Sequence, residues 1–397
     1  MTPQNKVENL VINILMLTVL ALFCLLYSRR RKLSTTAFGT ASWAYDQMLQ
    51  RWGMLSEPGL ILGRTMNGAL IRIPRYCHLL LVGSPGTGKG IGIVIPNLLS
   101  YRKGSVVCFD PKGDLYATTA RQRSRLGRVI LLSPFGEGGD KLNPLDCISE
   151  GPLLIDDAKA MAESLVIRPP GGSIDPHWDS KAAQIISNVL VFVLRCLPPA
   201  ERNLNSMQDV LSAPLMLHSV GNKLRELGGI HDRMCGEIHG LFDRDMVLTK
   251  EGSGIMSTVA RHLNFLNSES VAASVAESTF DVRELLNPGT TLYMQIPPFQ
   301  LEAQKGLLRC WVSTLIRQLG SLGSEDRSEV LMMLDEASAL DGLSGIKEAL
   351  VRGRSSGLRL VLAYQSDEQI KTGFRDEPSL LYDNCSTQIY LGARANA

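Results

Sequence analysis

The stretch of sequence that decides the fold reads Leu79-Leu-Leu-Val-Gly-Ser-Pro-Gly-Thr-Gly-Lys-Gly90. An apolar run of strand length stops at a glycine-rich loop with the spacing Gly83-x-x-x-x-Gly88-Lys89. Glycine permits the sharp turn and the close backbone approach by which successive amides and a helix N-terminus bind a phosphate group. The pattern therefore predicts a P-loop, and the alternative is a plain strand-to-loop connection.

The loop itself supplies the predicted nucleotide-binding residues. They are, in chain order, Gly83, Ser84, Pro85, Gly86, Thr87, Gly88, Lys89 and Gly90. Lys89 is expected to reach the β- and γ-phosphates of ATP and to count among the catalytic residues. Gly90 stands where a Ser or Thr hydroxyl usually binds Mg²⁺, so Thr87 or a water is expected to fill that coordination position.

A second apolar run, Val330-Leu-Met-Met-Leu-Asp-Glu336, ends in two adjacent carboxylates. Its composition is typical of a buried parallel strand. Downstream of a P-loop, such a strand predicts the Walker B element, in which Asp335 holds Mg²⁺ directly or through water. Glu336 is then the predicted catalytic residue that polarises the water attacking the γ-phosphate. The alternative is a buried strand whose exposed end carries two polar residues.

Asp110 competes for the Walker B role, because it ends the apolar run Ser105-Val-Val-Cys-Phe-Asp110. It lies one crossover helix and one strand beyond Lys89, and no second carboxylate follows it directly. Asp110 is therefore predicted to end a neighbouring strand near the nucleotide crevice. Lys112 and Asp114 either shape the rim of the site or belong to an ordinary turn built on Pro-x-Gly.

Composition narrows the possible functions without deciding among them. With 397 residues, 45% of them hydrophobic, the chain is long enough for two lobes and an anchor. A formal net charge of +2, from 41 basic and 39 acidic residues, restricts any nucleic-acid path to a local patch. The eight cysteines form no Cys-x-x-Cys pair and are typical of a reducing compartment. In His231-x-x-x-Cys235-x-x-x-His239 the outer residues are too far apart along a helix to share one metal ion.

The segment from Leu10 to Tyr27 carries no charge and is almost wholly apolar. Its length is close to that needed to span a bilayer, and Arg29, Arg30, Arg31 and Lys32 follow it. A cleaved signal peptide would carry its positive charges ahead of the apolar stretch. The segment is therefore predicted to be one transmembrane helix with the rest of the chain in the cytoplasm, and the alternative is a buried soluble helix.

The remaining pattern predicts an α/β domain interrupted by helices. Residues 33–77 carry the turn Asn67-Gly68 between apolar residues, which predicts a hairpin that feeds edge strands into the nucleotide domain. Residues 91–100 are expected to form the helix after the P-loop. Helical periodicity replaces strand signals between about 153 and 275, and strands alternate with helices again from 289 onward. This alternation implies a mostly parallel sheet covered on both faces.

Three polar residues near the end of the chain are further candidates. Gln365 ends the strand after Walker B, where it either senses the γ-phosphate beside Glu336 or is an ordinary strand-end glutamine. Arg352 and Arg354 lie in a turn before that strand. In a ring of subunits one of them is a candidate arginine finger for a neighbour's site, and we assign Arg354 to the catalytic set. The alternative is a solvated turn arginine.

With these residues placed, the chain resembles the type IV secretion coupling proteins, the TraG/TraD group of conjugation ATPases within the FtsK/HerA branch of RecA-like motors. The resemblance covers nearly the whole chain and depends on several motifs that occur in the same order. They are Gly39-Thr-Ala-Ser-Trp43, the P-loop continued by Gly90-Ile-Gly-Ile-Val-Ile-Pro96, Phe109-Asp-Pro-Lys-Gly-Asp114, Leu142-Asn-Pro-Leu-Asp146, His177-Trp-Asp179, Tyr293 to Pro298, Asp335-Glu336, and Gly353-Arg-Ser-Ser-Gly357 leading to Gln365-Ser366. The glycine after the P-loop lysine is similar to a trait of that group.

The resemblance implies a hexameric ATPase in the bacterial inner membrane that uses ATP and Mg²⁺ at the base of a secretion channel. Its partners would be relaxase-bound single-stranded DNA or secreted proteins, together with channel components. The implied domains are a single-pass anchor (1–32), a RecA-like nucleotide-binding domain in two parts (33–152 and 276–397), and an inserted all-α domain that selects substrates (153–275).

Two departures from the family pattern are visible. Many members carry two membrane helices, whereas one is predicted here, and the sequence stops at Ala397 before the family's closing elements, as in a truncated or naturally short member. The competing function is a nucleotide-gated substrate receptor without significant hydrolysis, which Gly90 favours and Glu336 disfavours. A membrane-tethered AAA+ protease lacks support, since no His-Glu-x-x-His motif is present.

Overall fold

A computed structural model describes residues 43–56, 58–73, 78–148, 150–168, 175–321, 329–374 and 377–392, together with Met16 and Thr18. The chain divides into two compact units, 1–53 and 54–397. The first contains helix α1 (Asp46–Arg51). The predicted transmembrane segment lies outside the described residues apart from Met16 and Thr18. Within the described ranges, no helix has the length and apolar character of a membrane span.

A seven-stranded sheet, in which every neighbouring pair is parallel, forms the centre of the second unit. Its spatial order is β5-β6-β4-β7-β8-β3-β9. The strands are β3 (Leu79–Gly83), β4 (Gly104–Phe109), β5 (Val129–Leu132), β6 (Thr291–Met294), β7 (Glu329–Leu334), β8 (Leu358–Tyr364) and β9 (Thr387–Leu391). We call the side where these strands begin the amino edge and the side where they end the carboxyl edge. The α/β class and the parallel sheet are confirmed.

Alternate residues of each central strand enter two separate apolar cores. Leu80 and Val82 face a large core shared with the helical part of the chain, whereas Leu79 and Leu81 face a smaller core. All residues of β3 are buried, as are those of β4 and β8. Near-continuous apolar runs rather than alternating ones therefore form these strands, as expected where helices cover both faces of a sheet.

The predicted hairpin is present as β1 (Leu60–Arg64) and β2 (Leu70–Ile73). It forms its own antiparallel sheet, so the prediction that it supplies edge strands of the nucleotide domain was wrong. The physical reason lies at Asn97, which is 2% exposed. Its side-chain amide accepts from Ile61 N at 2.7 Å and donates to Ile61 O at 2.9 Å. A helix side chain therefore satisfies backbone groups that a main-sheet strand would otherwise pair.

Helices α2 (Ile95–Ser100) and α3 (Asp114–Arg123) contribute to the smaller core. A π-helical turn, Gly90–Val94, joins the P-loop to α2, so the predicted helix after the loop is confirmed. The elements described between β5 and β6, in residues 133–148, 150–168 and 175–290, are helical. They are α4 (Leu154–Leu165), α5 (Pro176–Cys196), α6 (Leu204–Ser212), α7 (Pro214–Leu227), α8 (Ile230–His239), α9 (Lys250–Leu263) and α10 (Glu269–Ser274), with 3₁₀ turns Pro144–Cys147, Pro199–Glu201, Asn264–Asn267 and Val282–Leu286. These helices belong to the same compact unit as the sheet.

The remaining helices follow β6 and its successors. They are α11 (Pro298–Leu301), α12 (Lys305–Ser321), the 3₁₀ turn Ala337–Leu340, α13 (Ser344–Arg352), α14 (Asp367–Gly373) and α15 (Pro378–Asn384). The predicted alternation of strands and helices after residue 289 is thus confirmed. Each connecting helix returns the chain to the amino edge before the next strand begins. The polar residues that follow the strands therefore lie together at the carboxyl edge.

Candidate nucleotide site

The P-loop follows β3 at the carboxyl edge and is open to solvent. Ser84, Pro85 and Gly86 are exposed, and the positions from Thr87 to Gly90 are half-buried. Gly86 and Gly88 have φ values of +80° and +89°, in the left-handed region that residues with a Cβ rarely occupy. The backbone of the loop is therefore folded in a way that requires glycine at these two positions.

Two side chains stabilise the loop from within. The Lys89 ammonium group donates to Gly83 O, and it lies 3.4 Å from Ser84 O. The Thr87 hydroxyl donates to Ser84 O at 2.7 Å. Thr87 was predicted as a substitute ligand for Mg²⁺, and in this structure its hydroxyl hydrogen closes the loop. The lone pairs of its oxygen are not used by this bond, so the role of Thr87 as a ligand stays a prediction.

The last strand, β9, supports the loop from the side opposite β8. A Cβ placed on Gly392 would lie 2.6 Å from the Thr87 methyl carbon. A Cβ placed on Gly83 would lie 3.2 Å from both Cβ and O of Leu391. Sequence reasoning missed this contact, because no motif marks Leu391 or Gly392 and only the β3–β9 pairing brings them to the loop.

Gly90 occupies the first position of the π-helical turn and faces open space. A Cβ placed there meets no heavy atom within 4 Å of those the structure describes. A serine at this position would therefore fit without displacing a neighbour. Packing therefore does not exclude a Ser or Thr hydroxyl at this position, where the sequence has glycine.

Asp335 follows β7, two strands from the P-loop in the order of the sheet. Burial raises the pKa of Asp335, and the nearby carboxylates of Glu336 and Asp110 act in the same direction. The positive charges of Lys89 and Lys112 lower that pKa. Lys89 of the P-loop and Asp335 of the Walker B strand are therefore close enough to interact electrostatically, as the sequence predicts.

Glu336 and Gln365 are joined directly. Gln365 Nε2 donates to Glu336 Oε2 at 2.8 Å, and the Ser338 hydroxyl donates to Glu336 Oε1 at 2.6 Å. The strand order explains the first contact, because β8, which Gln365 follows, lies between β7 and the P-loop strand β3. The structure thus brings Gln365 to the predicted catalytic carboxylate, where it fixes the orientation of one oxygen.

Asp110 has a structural partner of its own. Its Oδ2 accepts from Tyr116 N at 2.8 Å, so it binds the first turn of α3. Burial raises the pKa of Asp110, whereas backbone hydrogen bonds from Tyr116, Leu115 and Gly113 lower it. Asp110 ends β4, which is paired with β7, so its predicted place on a neighbouring strand is confirmed.

Arg352 and Arg354 lie at the amino edge, away from the P-loop of their own subunit. Arg352 is the last residue of α13 and its Nη1 lies 3.3 Å from Glu348 Oε1. Arg354 is exposed and makes no side-chain hydrogen bond or ion pair with the described residues. Within one chain the structure therefore does not bring Arg354 together with Lys89, Glu336 and Gln365.

A cavity of about 1250 Å³ also lies away from the P-loop. Residues from α4, α12 and α13 line it, among them Asp157, Arg317, Ser344 and Glu348. Arg317 forms an ion pair with Asp157 inside it. The P-loop, in contrast, lies on the open carboxyl edge of the sheet.

His231, Cys235 and His239, whose spacing was considered for a metal ion, make other contacts. His239 stacks on His218 with ring centroids 4.3 Å apart, and its Nδ1 lies 3.6 Å from Cys235 Sγ. His231 Nδ1 lies 3.0 Å from Gly228 O. The described residues contain no group of three or more side chains suited to hold a metal ion.

Comparisons with known proteins identify the family of this chain. The family model for type IV secretory system conjugative DNA transfer, T4SS-DNA_transf, matches residues 42–396. The chain belongs to this family. The conjugal transfer protein TraG of Escherichia coli is 28% identical over 335 residues, covering 78% of this chain and 52% of that protein. Protein VirD4 of Agrobacterium fabrum is 26% identical over 391 residues, covering 89% of this chain and 54% of that protein. The chain therefore spans about half the length of these curated relatives.

Solved structures of the plasmid coupling protein TrwB share the fold. TrwB in complex with the non-hydrolysable GTP analogue GDPNP gives a TM-score of 0.63 at 20% identity, covering 87% of this chain and 76% of that chain. TrwB in complex with ADP and Mg²⁺ gives a TM-score of 0.61 at 21% identity, covering 88% and 80%. The chain thus has the fold of a nucleotide-binding P-loop protein.

Proposed function

We propose that this chain is a membrane-anchored ATPase that couples conjugative DNA with its relaxase, or secreted proteins, to a type IV secretion channel. In this proposal hydrolysis of ATP drives or licenses the transfer. The observation that carries the hydrolytic part is the hydrogen bond between Gln365 and Glu336 beside the P-loop. It supports the proposal because a base that accepts a proton from water must hold a defined orientation.

The chemistry follows from the positions of the P-loop amides and of Lys89, Glu336 and Gln365. The P-loop amides and Lys89 bind the phosphates, with Lys89 leaving the carbonyl oxygens of Gly83 and Ser84 for phosphate oxygens. Glu336 accepts a proton from the attacking water, and Gln365 holds the carboxylate in place. Catalysis of this kind depends on positioning and electrostatic stabilisation, since phosphoryl transfer requires little covalent participation by the protein.

The donor set at the carboxyl edge fits Mg²⁺. Hard divalent cations prefer carboxylate and water oxygens, and Asp335 is a half-buried carboxylate whose raised pKa shows that a further cation would stabilise its charged form. Asp335 would hold the ion, with water at the position that Gly90 leaves open. When bound, Mg²⁺ neutralises charge on the triphosphate.

The proposed ring is a homo-hexamer in which Arg354 acts on the site of a neighbour. The proposal is supported by the exposure of Arg354 and by its position at the amino edge, away from the P-loop of its own subunit. The proposed location is the bacterial inner membrane, through the single apolar segment at residues 10–27.

The helices between β5 and β6 are the proposed all-α domain for substrate recognition. The motif His177-Trp-Asp179 fastens α5 to α9 in this region. Asp179 Oδ1 accepts from Arg261 Nη2 and His262 Nε2, both at 2.9 Å. A Cβ on Gly254 would lie 2.6 Å from the Trp178 ring, so the indole packs directly on the α9 backbone. Such fixed packing is what a recognition surface needs to hold its shape.

The proposal is tested by measuring ATP turnover and ATP affinity with and without single-stranded DNA. We expect Lys89→Ala to lose affinity for ATP, since a charge-assisted contact is worth about 10- to 100-fold in binding. We expect Glu336→Gln to keep its affinity while turnover falls about 10²- to 10⁴-fold. Glu348→Gln, which alters an exposed carboxylate on α13, is the matched control and should change neither.

A wild-type protein that binds ATP but turns it over no faster than Glu336→Gln would contradict the motor and favour the nucleotide-gated receptor. That alternative has one structural observation in its favour, the missing hydroxyl at Gly90. Single-stranded DNA that binds with an affinity independent of salt would contradict DNA as the cargo, because phosphate contacts release counterions.

A further inference from the structure

Lys112 is a charged side chain near the P-loop that neither the fold nor the proposed chemistry uses. It is exposed, and it makes no hydrogen bond or ion pair with the residues that the structure describes. Unpaired surface lysines are common, so exposure alone assigns no role. The position of Lys112 relative to Lys89 and Asp335 is what requires an explanation.

The backbone that carries Lys112 is fixed on both sides. Gly113 N donates to Asp110 O at 3.2 Å across a tight turn, and Gly113 has a φ of +77°. Asp110 Oδ2 binds Tyr116 N at the start of α3. A Cβ on Gly113 would lie 3.4 Å from Gln295 Nε2, so the segment after β6 packs against the turn. Lys112 is therefore presented from a defined position and not from a loose loop.

Strand register places this turn beside the Walker B carboxylate. Phe109 of β4 is paired with Leu334 of β7, so Asp110 and Asp335 emerge side by side from strands about 4.8 Å apart. The P-loop follows β3, on the opposite side of β7 from β4. Lys89 and Lys112 thus approach Asp335 from opposite sides, and both act on its charge.

A triphosphate bound by the P-loop extends from β3 toward β7, since its terminal phosphate must reach the Walker B residues. Lys89 provides a single positive charge for the β- and γ-phosphates, and it comes from the P-loop side. A terminal phosphate carries more than one negative charge and several acceptor oxygens. On the side facing β4, Lys112 is a lysine whose positive charge reaches Asp335.

We propose that Lys112 binds the terminal phosphate of a nucleoside triphosphate from the side opposite Lys89. The inference rests on the proposed nucleotide site and adds a discriminating residue to it. Lys112 would then distinguish ATP from ADP, because the diphosphate lacks the group that it contacts. Because the Asp110 turn connects Lys112 to α3, the start of that helix would respond to whether the bound nucleotide is ATP or ADP.

The test compares ATP and ADP affinities, both measured by titration of the full chain with Mg²⁺ present. We expect Lys112→Met to weaken ATP binding about tenfold and to leave ADP binding within about twofold. Lys112→Arg should recover most of the ATP affinity, because it keeps the charge. Lys89→Ala should weaken both nucleotides. Lys159→Met, at an exposed lysine on α4, is the matched control and should weaken neither.

Equal weakening of ATP and ADP in Lys112→Met would overturn the inference, and so would unchanged ATP affinity. Either result would leave the proposed nucleotide site standing, as long as wild type binds ATP and Lys89→Ala does not. Failure of the wild type to bind any nucleotide would instead refute the proposed function and the inference with it. Thermal unfolding of each variant checks that the exposed substitution leaves the fold intact.

Discussion

At the amino edge of the sheet, Arg359 is 1% exposed and its Nε lies 3.2 Å from Glu329 Oε1. Tyr101 donates its hydroxyl to the same Glu329 oxygen at 2.6 Å. At the carboxyl edge, by contrast, burial raises the pKa values of Asp335 and Asp341, and the positive charges near them offset that rise only in part. The charged side chains at the amino edge are paired with one another, whereas the carboxylates at the carboxyl edge are only partly neutralised by nearby positive charge.

The difference separates charges that hold the fold from charges that await a ligand. Arg123 extends the pattern at the amino edge, where its guanidinium donates to Thr291 Oγ1 at 2.7 Å and to Gly289 O at 3.2 Å. Burial without partners costs free energy, so carboxylates that persist in that condition usually serve binding or catalysis. Substitutions at the two edges should therefore have opposite consequences for stability.

The largest effect is expected at the amino edge. Arg359→Met removes a buried guanidinium and leaves the half-buried carboxylate of Glu329 with the more exposed Lys103, 3.5 Å away, which should lower the free energy of unfolding by about 3 kcal/mol. Urea denaturation at neutral pH measures it. The exposed pair of Arg352 and Glu348 is the matched control, because Arg352→Met should cost less than about 1 kcal/mol. If both substitutions cost the same, the amino edge is not held by buried charge.

A smaller effect of opposite sign is expected at Asp341. Tyr364 OH lies 3.4 Å from its Oδ1, and burial raises the pKa of Asp341 to about 7. Between about pH 4 and pH 7 the unfolded chain ionises at this position while the folded protein stays protonated, so stability falls as pH rises. Asp341→Asn removes that loss. Because the side chain is partly exposed, we expect it to gain about 2 kcal/mol relative to wild type over this range.

The measurement is the free energy of unfolding of both proteins at several pH values from 5 to about 8. Asp383→Asn, which alters an exposed carboxylate on α15, is the control and should follow the wild-type curve. A constant difference between Asp341→Asn and wild type across the range would show that Asp341 titrates normally. The contrast between the edges would then be restricted to Asp335.

The smallest effect is expected at Gln365 and concerns rate rather than stability. Gln365→Ala removes one hydrogen bond to Glu336, which should lower ATP turnover about tenfold while ATP affinity stays unchanged. Gln369→Ala is the control, since the side chain of Gln369 accepts a hydrogen bond from the backbone N of Gln365, at 2.8 Å, and makes none to Glu336. A loss of ATP affinity in place of turnover would make Gln365 a binding residue and weaken the assignment of Glu336 as base.

Sequence alone predicts the local parts of this molecule well. The P-loop, the Walker B strand and the helix after Lys89 are specified by short runs whose chemistry depends on neighbours in the chain. Gln365 was predicted either to sense the γ-phosphate beside Glu336 or to be an ordinary strand-end glutamine, and strand order accounts for its contact with Glu336. That order is a non-local property, because parallel strands pair across long connections and each apolar run fits several neighbours.

Because strand order is non-local, contacts that depend on it could not be predicted from the sequence. Nothing in the residues around Gly392 indicates that they brace Thr87, since the contact exists only because β9 pairs with β3. Arg359 and Glu329 lie on different strands and show no motif. The hairpin was recognised by its turn but misplaced, because a single buried amide at Asn97 determines where it attaches.

That amide has a consequence for observing the molecule at work. Asn97 also donates to Ile93 O at 2.7 Å, so one side chain ties the hairpin to the helical segment that starts at the phosphate loop. The Ile61 amide proton is locked inside this junction, and its hydrogen exchange with solvent requires the junction to open. If bound nucleotide makes the segment after Lys89 more rigid, exchange of the Ile61 amide proton should slow as the nucleotide site fills. That proton would then report on a site with which it makes no contact.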